Sequence, residues 1–350
     1  MWRFVDGQHG PYRQNRGIRP GLINLLLALR TFEVYQPRDH VYGLLGLHQK
    51  FNRSGKVTAL LAPDYAKSLA DVLRDATRAG IEERQNLDYI RAISGDKEFP
   101  TWVPRWDREQ DANKGKDPRP FEYEIYHAGG VDWTDSFVTP SKEEVNILPL
   151  RGFTVATVAG VVHPVTPGIR GLALLQTIET FRGLMEDLAV EDQRFENGDN
   201  VAIATTPVAA VDHEDRPASM DCVESGFRAW SAYISENSCH PPHLDSGHAD
   251  LQDYEIWSAA EYDRALGNAS SGRSLFTTST GLIGLGAKTM HPGDIVTILY
   301  GCQMPVILQP CPHSGDYELV GASYVYGIMD GEAVAKHKAD GIEDVTFRIR

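Results

Sequence analysis

Between Ser274 and Ile328 the chain holds five short runs rich in β-branched and aromatic residues: Ser274–Thr280, Ile295–Tyr300, Val306–Gln309, Tyr317–Val320 and Ser323–Ile328. Gly293-Asp294, Gly301-Cys302 and Gly315-Asp316 stand at the bends between them. Strands this short and this closely spaced leave no room for crossover helices, so they favour a sheet that closes on itself and hides its edges. Two earlier runs, Val145–Leu150 and Phe153–Val162, read as a first pair of strands, bringing the expected total to about six or seven.

A different period governs the first hundred residues. Leu22, Leu25, Leu26, Leu29 and Phe32 recur at three- and four-residue spacing, which predicts a helix over Gly21–Tyr35 ending near Pro37. A second helix is expected over Ser68–Arg84, with Leu69, Val72, Leu73, Ala76 and Ile81 as its inner stripe. Asp107–Pro120 has no aliphatic residue larger than alanine and reads as linker. The expected fold class is therefore α+β, with a helical segment over 1–106, a linker over 107–143, and a small β-barrel over 144–350. Helical runs at Leu172–Leu188, Cys222–Ser235 and Tyr254–Leu266 place a helical insert inside that barrel domain, at about 170–268.

Charge is concentrated in this insert. The whole chain carries 34 basic and 48 acidic residues, a formal net charge of −14. Gly183–Asp263 alone holds 18 acidic and 3 basic residues, so the remainder is close to neutral. A solvated helical insertion kept soluble by like charge is the plain reading, and an acidic surface for a basic partner is the alternative. Either way the balance has the wrong sign for neutralising nucleic-acid phosphates. The longest aliphatic run, Leu22–Leu29, is interrupted by Asn24 and falls short of the roughly 20 residues a bilayer requires, so no membrane span is expected. Four scattered cysteines and no secretory signal point to a reducing, cytoplasmic setting.

The chemistry-bearing motifs are sparse. Gly281-Leu-Ile-Gly-Leu-Gly286 resembles a phosphate loop, but a strand follows it where a helix N-terminus is needed, so a glycine-rich hairpin is expected and no cofactor. Cys239, His240, His243, Asp245, His248 and Asp250 crowd one turn-rich segment, yet they lack paired ligand spacing, and no metal is assigned. Asp330 and Glu332 could converge as a carboxylate pair, but exposed turn residues need no catalytic explanation. Arg38-Asp39, entering the apolar run Val41–Leu47, reads as a cap and ion pair fixing how that segment joins the core. Pro100-Thr-Trp-Val-Pro-Arg-Trp106 reads as a stiff inter-domain strap whose two indoles clamp apolar surface.

Three strings, in order, resemble the fungal heterokaryon-incompatibility family: Arg38-Asp-His-Val-Tyr-Gly-Leu-Leu-Gly-Leu47 with Pro63-Asp64-Tyr65, then Pro100–Trp106, then a C-terminal set. That set comprises Arg273–Thr277, Gly281–Gly284, Gly293-Asp294-Ile-Val, Pro305–Leu308 and Leu319–Glu332. The family usually has Ser and Asp at the positions of Thr101 and Arg105. The resemblance implies a role in vegetative incompatibility, where fusion of unlike fungal cells ends in growth arrest and death, and it implies a C-terminal barrel. The family's N-terminal signalling block has no counterpart upstream of Arg38, so a fragment or degenerate relative is expected.

The expected function is therefore non-enzymatic and rests on protein–protein contacts, with other incompatibility-locus products among the possible partners. Arg38, Asp39 and Tyr42 are expected as a pairing group, Trp102 and Trp106 as clamps, and Gly293, Asp294 and Gly327 as turn-makers. One alternative is a metal-assisted hydrolase at the barrel mouth, using Asp330, Glu332 or His240, His243 and His248. Another is a regulatory fragment that binds full-length relatives through an unpaired Leu22–Leu29 face.

Overall fold

The computed structural model describes residues 21–30, 32–51, 59–84, 86–93, 99–107, 125–130, 144–163, 172–189, 199–212, 214, 216–237 and 251–350, in two units. One unit takes residues 1–85 and 105–109, the other 86–104 and 110–350.

In the first unit, α1 (Leu22–Leu29) buries Leu22, Ile23, Leu25 and Leu26 against α4 (Leu69–Arg84). Gly80 makes this approach possible, because a Cβ there would collide with the side chain of Ile23. The first-turn amides of α1 are satisfied by side chains, Leu22 donating to Glu83 Oε2 at 2.8 Å and Gly21 to Asn24 Oδ1 at 3.2 Å. The helix is shorter than its leucine period suggests. Phe32 N–H turns back to the Leu29 carbonyl three residues earlier, and the Phe32 ring is exposed. The leucine face that a regulatory fragment would have to present is thus packed inside this unit. Between α1 and α4 lie two short helices, α2 (Asp39–Tyr42) and α3 (Leu45–Phe51).

The second unit is built on β1 (Leu148–Val162), a single strand where two were expected. The two runs join through Arg151 and Gly152, and Gly152 is a point of close approach. It pairs with Val345 on one side and Leu299 on the other, and a Cβ there would run into the Ile298 carbonyl. The insert follows β1, with α5 (Leu172–Ala189), α6 (Asp199–Thr205), α7 (Met220–Asn237) and α8 (Leu251–Ser270). The chain then forms β2 (Arg273–Thr278), β3 (Ile283–Ala287), β4 (Ile295–Leu299), β5 (Val306–Pro310), β6 (Tyr317–Ala322) and β7 (Tyr324–Val325). Last come α9 (Glu332–Asp340) and β8 (Val345–Ile349), neither of which the sequence pattern announces.

Strands β4, β5, β6, β8 and β1 are bonded in that cyclic order, and the pairing of β1 with β4 closes a five-strand barrel. The far half of β1 pairs with β2, then β3 and β7, and Ser323 joins β7 covalently to β6. The run expected as a strand over 323–328 stops at Val325, because Gly327 turns the backbone at φ +81. Two apolar cores lie on opposite faces of β2: Leu275 joins the core under the insert helices, and Phe276 fills the barrel. Residues 125–130, within the 107–143 stretch, are tied to this unit by His127 N–H to the Met329 carbonyl and Ala128 N–H to the Gln303 carbonyl. Among the described residues no helix is long and apolar enough to cross a membrane.

Candidate functional site

The Arg38–Tyr42 string and the Pro63–Tyr65 string, far apart in sequence, meet in the first unit. Arg38 Nε donates to the Lys67 carbonyl at 2.9 Å, Tyr42 OH to the Asp64 carbonyl at 2.9 Å, and Tyr65 OH to Asp39 Oδ1 at 2.7 Å. The Tyr42 and Tyr65 rings sit edge to face, 5.3 Å apart. Arg38 and Asp39 each hold a partner on the 64–67 loop. Lys67 carries the network into the core, its Nζ lying 2.8 Å from Oδ2 of buried Asp75. Hydrogen bonding to Asp75 holds the Lys67 ammonium above its ordinary range, and hydrogen bonding to Asp39 raises the Tyr65 phenol. Burial pushes the neighbouring His40 imidazole down, against the opposing charges of Asp107 and Asp39. The arrangement ties α2 to the 64–67 loop, and Lys67 ties that loop to α4. Phe32, Val34, Tyr35 and Tyr65 remain exposed.

The strap residues Trp102 and Trp106 are both fully buried, each in its own unit. Trp106 Nε1 donates to Thr77 Oγ1 at 2.9 Å, and that hydroxyl donates to the Leu73 carbonyl one turn earlier on α4. Trp102 Nε1 donates to the Asn146 carbonyl at 2.9 Å, just ahead of β1. Thr101 bridges the barrel, accepting from Leu319 N–H at 2.8 Å while its own N–H and hydroxyl both donate to the Arg350 carbonyl.

In the barrel, Gly293 and Asp294 form the turn into β4. Gly293 has φ +97, and Asp294 Oδ2 accepts the His291 N–H at 2.8 Å across the bend. Of the Gly281–Gly286 glycines, only Gly281 serves a bend, with φ +78. Gly284 makes room: a Cβ there would lie 2.5 Å from both the Phe276 ring and the Tyr324 carbonyl oxygen, whereas one on Gly286 would lie 3.2 Å from Met290 Sδ and in ordinary contact with the ring at 3.4 Å. The space a phosphate loop would give to a ligand holds an aromatic ring of the chain itself.

The hydrolase candidates assemble less well. Glu332 Oε2 accepts the Asp330 N–H at 2.8 Å, so this pair is engaged in starting α9. The Cys239–Asp250 segment, with His240, His243 and His248, lies outside the described residues. Among the described residues no group of three or more potential ligands is poised to hold a metal.

A polar cluster that sequence reading missed gathers around Asp344. Its carboxylate takes Tyr300 OH at 2.7 Å, Arg151 Nη2 at 2.9 Å and His337 Nε2 at 3.1 Å, and the His337 ring stacks on Phe153 with centroids 3.9 Å apart. Burial raises the Tyr300 phenol, and the bond to Asp344 adds to that. For Asp344 burial acts upward, but the donors from Tyr300 and His337 and the charge of Arg151 outweigh it and hold the carboxyl below its ordinary range. These four groups come from parts of the chain up to 193 residues apart, and no local motif announces them.

The Het-6 β-barrel domain family model matches residues 243–342. That span contains α8, β2–β7 and α9, while the barrel strands β1 and β8 lie outside it. Heterokaryon incompatibility protein 6, OR allele, of Neurospora crassa is 24% identical over 372 residues, covering 92% of this chain and 52% of that protein. The chain thus spans about half the length of the curated relative it matches. No solved structure matches the chain. With the closed barrel on the page, the chain is similar to this incompatibility protein along nearly all of its sequence, and its residues 243–342 match the Het-6 type of barrel.

Proposed function

We propose that this chain is a non-enzymatic incompatibility factor, acting through protein–protein contacts in fungal non-self recognition and the cell death that follows. The observation that carries this reading is the filled barrel. Phe276, Val296, Ile298 and Ile307 occupy its interior, and Gly284 of β3 gives its room to Phe276. A barrel packed this way supports action through its outer surface and loops. The cytoplasm, where fused cells mix their contents, is the setting this role requires.

Expression of the full chain in fungal recipients of like and unlike incompatibility genotype tests the proposal, scored by heterokaryon growth and uptake of a membrane-impermeant dye. Arrest and dye uptake confined to unlike pairings are expected. Equal growth in all pairings would overturn it. The double variant Asp330→Asn, Glu332→Gln is expected to behave like the parent, and loss of arrest in that variant while still folded would instead favour the hydrolase reading.

A further inference from the structure

We propose that the turn over residues 204–211 is a sprung joint, held in a left-handed shape by the hydroxyls of Tyr126 and Tyr262, and that it ties the position of a surface loop on the insert to the seating of residues 125–130 on the barrel. Among the described residues only Ala209 and Ala210 hold a positive φ without being glycine, at +51 and +56. They are consecutive, and they follow a single 3₁₀ turn over Thr206–Val208. An L-residue enters this region against the steric preference of its Cβ, so such a pair persists only where its surroundings over-determine it. The same turn carries a second cost, because the Thr206 hydroxyl is buried with no hydrogen-bond partner.

The amides of Ala209, Ala210 and Val211 turn back to the carbonyls of Thr206, Thr205 and Val208 at 3.1, 3.2 and 3.1 Å. This is how a helix end closes on a left-handed residue, a position that usually falls to glycine. Alanine has no such freedom, and the added constraint comes from two distant phenols. Tyr262 OH, from α8, donates to the Ala204 carbonyl at 2.6 Å, and Tyr126 OH donates to the carbonyl of Ala209 itself. Both tyrosines are buried, so water does not compete for these carbonyls.

Tyr126 brings the barrel into the joint. The residues after it are bonded to barrel turns, His127 N–H to the Met329 carbonyl at 2.8 Å, Ala128 N–H to the Gln303 carbonyl at 2.9 Å and Gly129 N–H to the Cys302 carbonyl at 3.1 Å. On the other side of the joint, Ala218 N–H donates to the Ala210 carbonyl at 3.0 Å, Asp212 N–H donates to the Arg216 carbonyl at 2.9 Å, and Val211 pairs with Pro217. These contacts close a loop that presents Glu214 and Arg216 to solvent just ahead of α7. A turn that relaxes toward right-handed backbone carries the Ala210 carbonyl with it, and so shifts the base of the loop.

The test uses the full chain and follows hydrogen exchange at single amides by nuclear magnetic resonance. Tyr126→Phe keeps the ring and removes the hydroxyl. Exchange at Ala209, Ala210 and Val211 is expected to rise roughly tenfold, the size of one lost hydrogen bond, with Asp212 and Ala218 rising alongside while the β4 and β5 amides keep their rates. Tyr262→Phe, acting through the Ala204 carbonyl, is expected to do the same. Ala209→Gly with Ala210→Gly, added to Tyr126→Phe, is expected to return these amides to within about twofold of the parent, because glycine takes the left-handed form without strain. Four results would each overturn the proposal: unchanged exchange at 209–211 in either phenylalanine variant, a rise that the glycine pair leaves intact, a rise that spares Asp212 and Ala218, or a rise shared equally by β4 and β5.

Discussion

The two cores that share β2 solve the problem of a large ring in different ways. In the barrel, Phe276 fits because Gly284 has no side chain where its edge lies. In the core under the insert helices, the rings keep their bulk and satisfy their polar tips. Trp230 Nε1 donates to Asp263 Oδ1 at 3.1 Å, Tyr262 OH to the Ala204 carbonyl at 2.6 Å, and Tyr126 OH to the Ala209 carbonyl. A strand core can make room by omission, since each glycine leaves a gap in the pleated surface. The insert uses the same device in one place, Gly226 of α7, where a Cβ would lie 3.3 Å from Tyr262, and glycine inside either kind of element gives up about 0.5–1 kcal/mol relative to alanine. What differs is the polar tip: the insert rings carry one that must be bonded, and Phe276 carries none.

This contrast is broken most severely by truncating the insert core. Trp230 is fully buried, 5.7 Å from the Tyr262 ring, and Trp230→Ala is expected to cost about 3–5 kcal/mol. Chemical denaturation measures it, and a cost below about 1 kcal/mol would mean that this core is not organised around the indole. In the barrel the damaging change is an addition. Gly284→Ala is expected to cost about 1–3 kcal/mol through overpacking against the Phe276 ring and the Tyr324 carbonyl, and Phe276→Leu in the same chain should recover only the part due to the ring. Additive costs in that double variant would show that the glycine and the ring do not compete for one space.

A smaller effect separates room from backbone freedom. A Cβ on Gly293 would meet nothing within 4 Å, but its φ is +97, so Gly293→Ala is expected to cost about 1–2 kcal/mol with no rescue from any neighbouring truncation. The smallest effect concerns pH. Because folding lowers the carboxyl of Asp344, its contribution is present above the unfolded carboxylate range and is lost as pH falls through its folded value. Melting temperature followed downward from pH 6 should decline less steeply in Asp344→Asn than in the parent. Identical acid limbs would remove Asp344 from the stabilising groups.

The α+β class and the barrel were legible because glycine bends and β-branched runs are local signals. The strand spans over 295–299 and 306–310 follow that pattern closely. The sequence failed where a residue's role was set by a distant neighbour. The two runs expected to end at Leu150 and begin at Phe153 are one strand, with Gly152 between them in close contact with β4, while Gly284, expected in a glycine-rich hairpin, gives its room to Phe276. α9 and β8 escaped notice because Glu332–Asp340 has a weak apolar stripe and β8 is only five residues long, with Arg348 set among its apolar positions. Of the candidate site, the Arg38, Asp39 and Tyr42 group was identifiable by resemblance. Its partners Asp64, Tyr65 and Lys67, 22 to 29 residues on, required the fold.

The most direct measurement is nuclear magnetic resonance on the full chain with labelled phenylalanine and glycine. Through-space contacts from the Phe276 ring protons to the α-protons of both Gly284 and Gly286 are expected, as the filled barrel requires. A Phe276 ring that shows contacts to neither glycine, with shifts that move when small apolar solutes are added, would reveal an open lumen and contradict it.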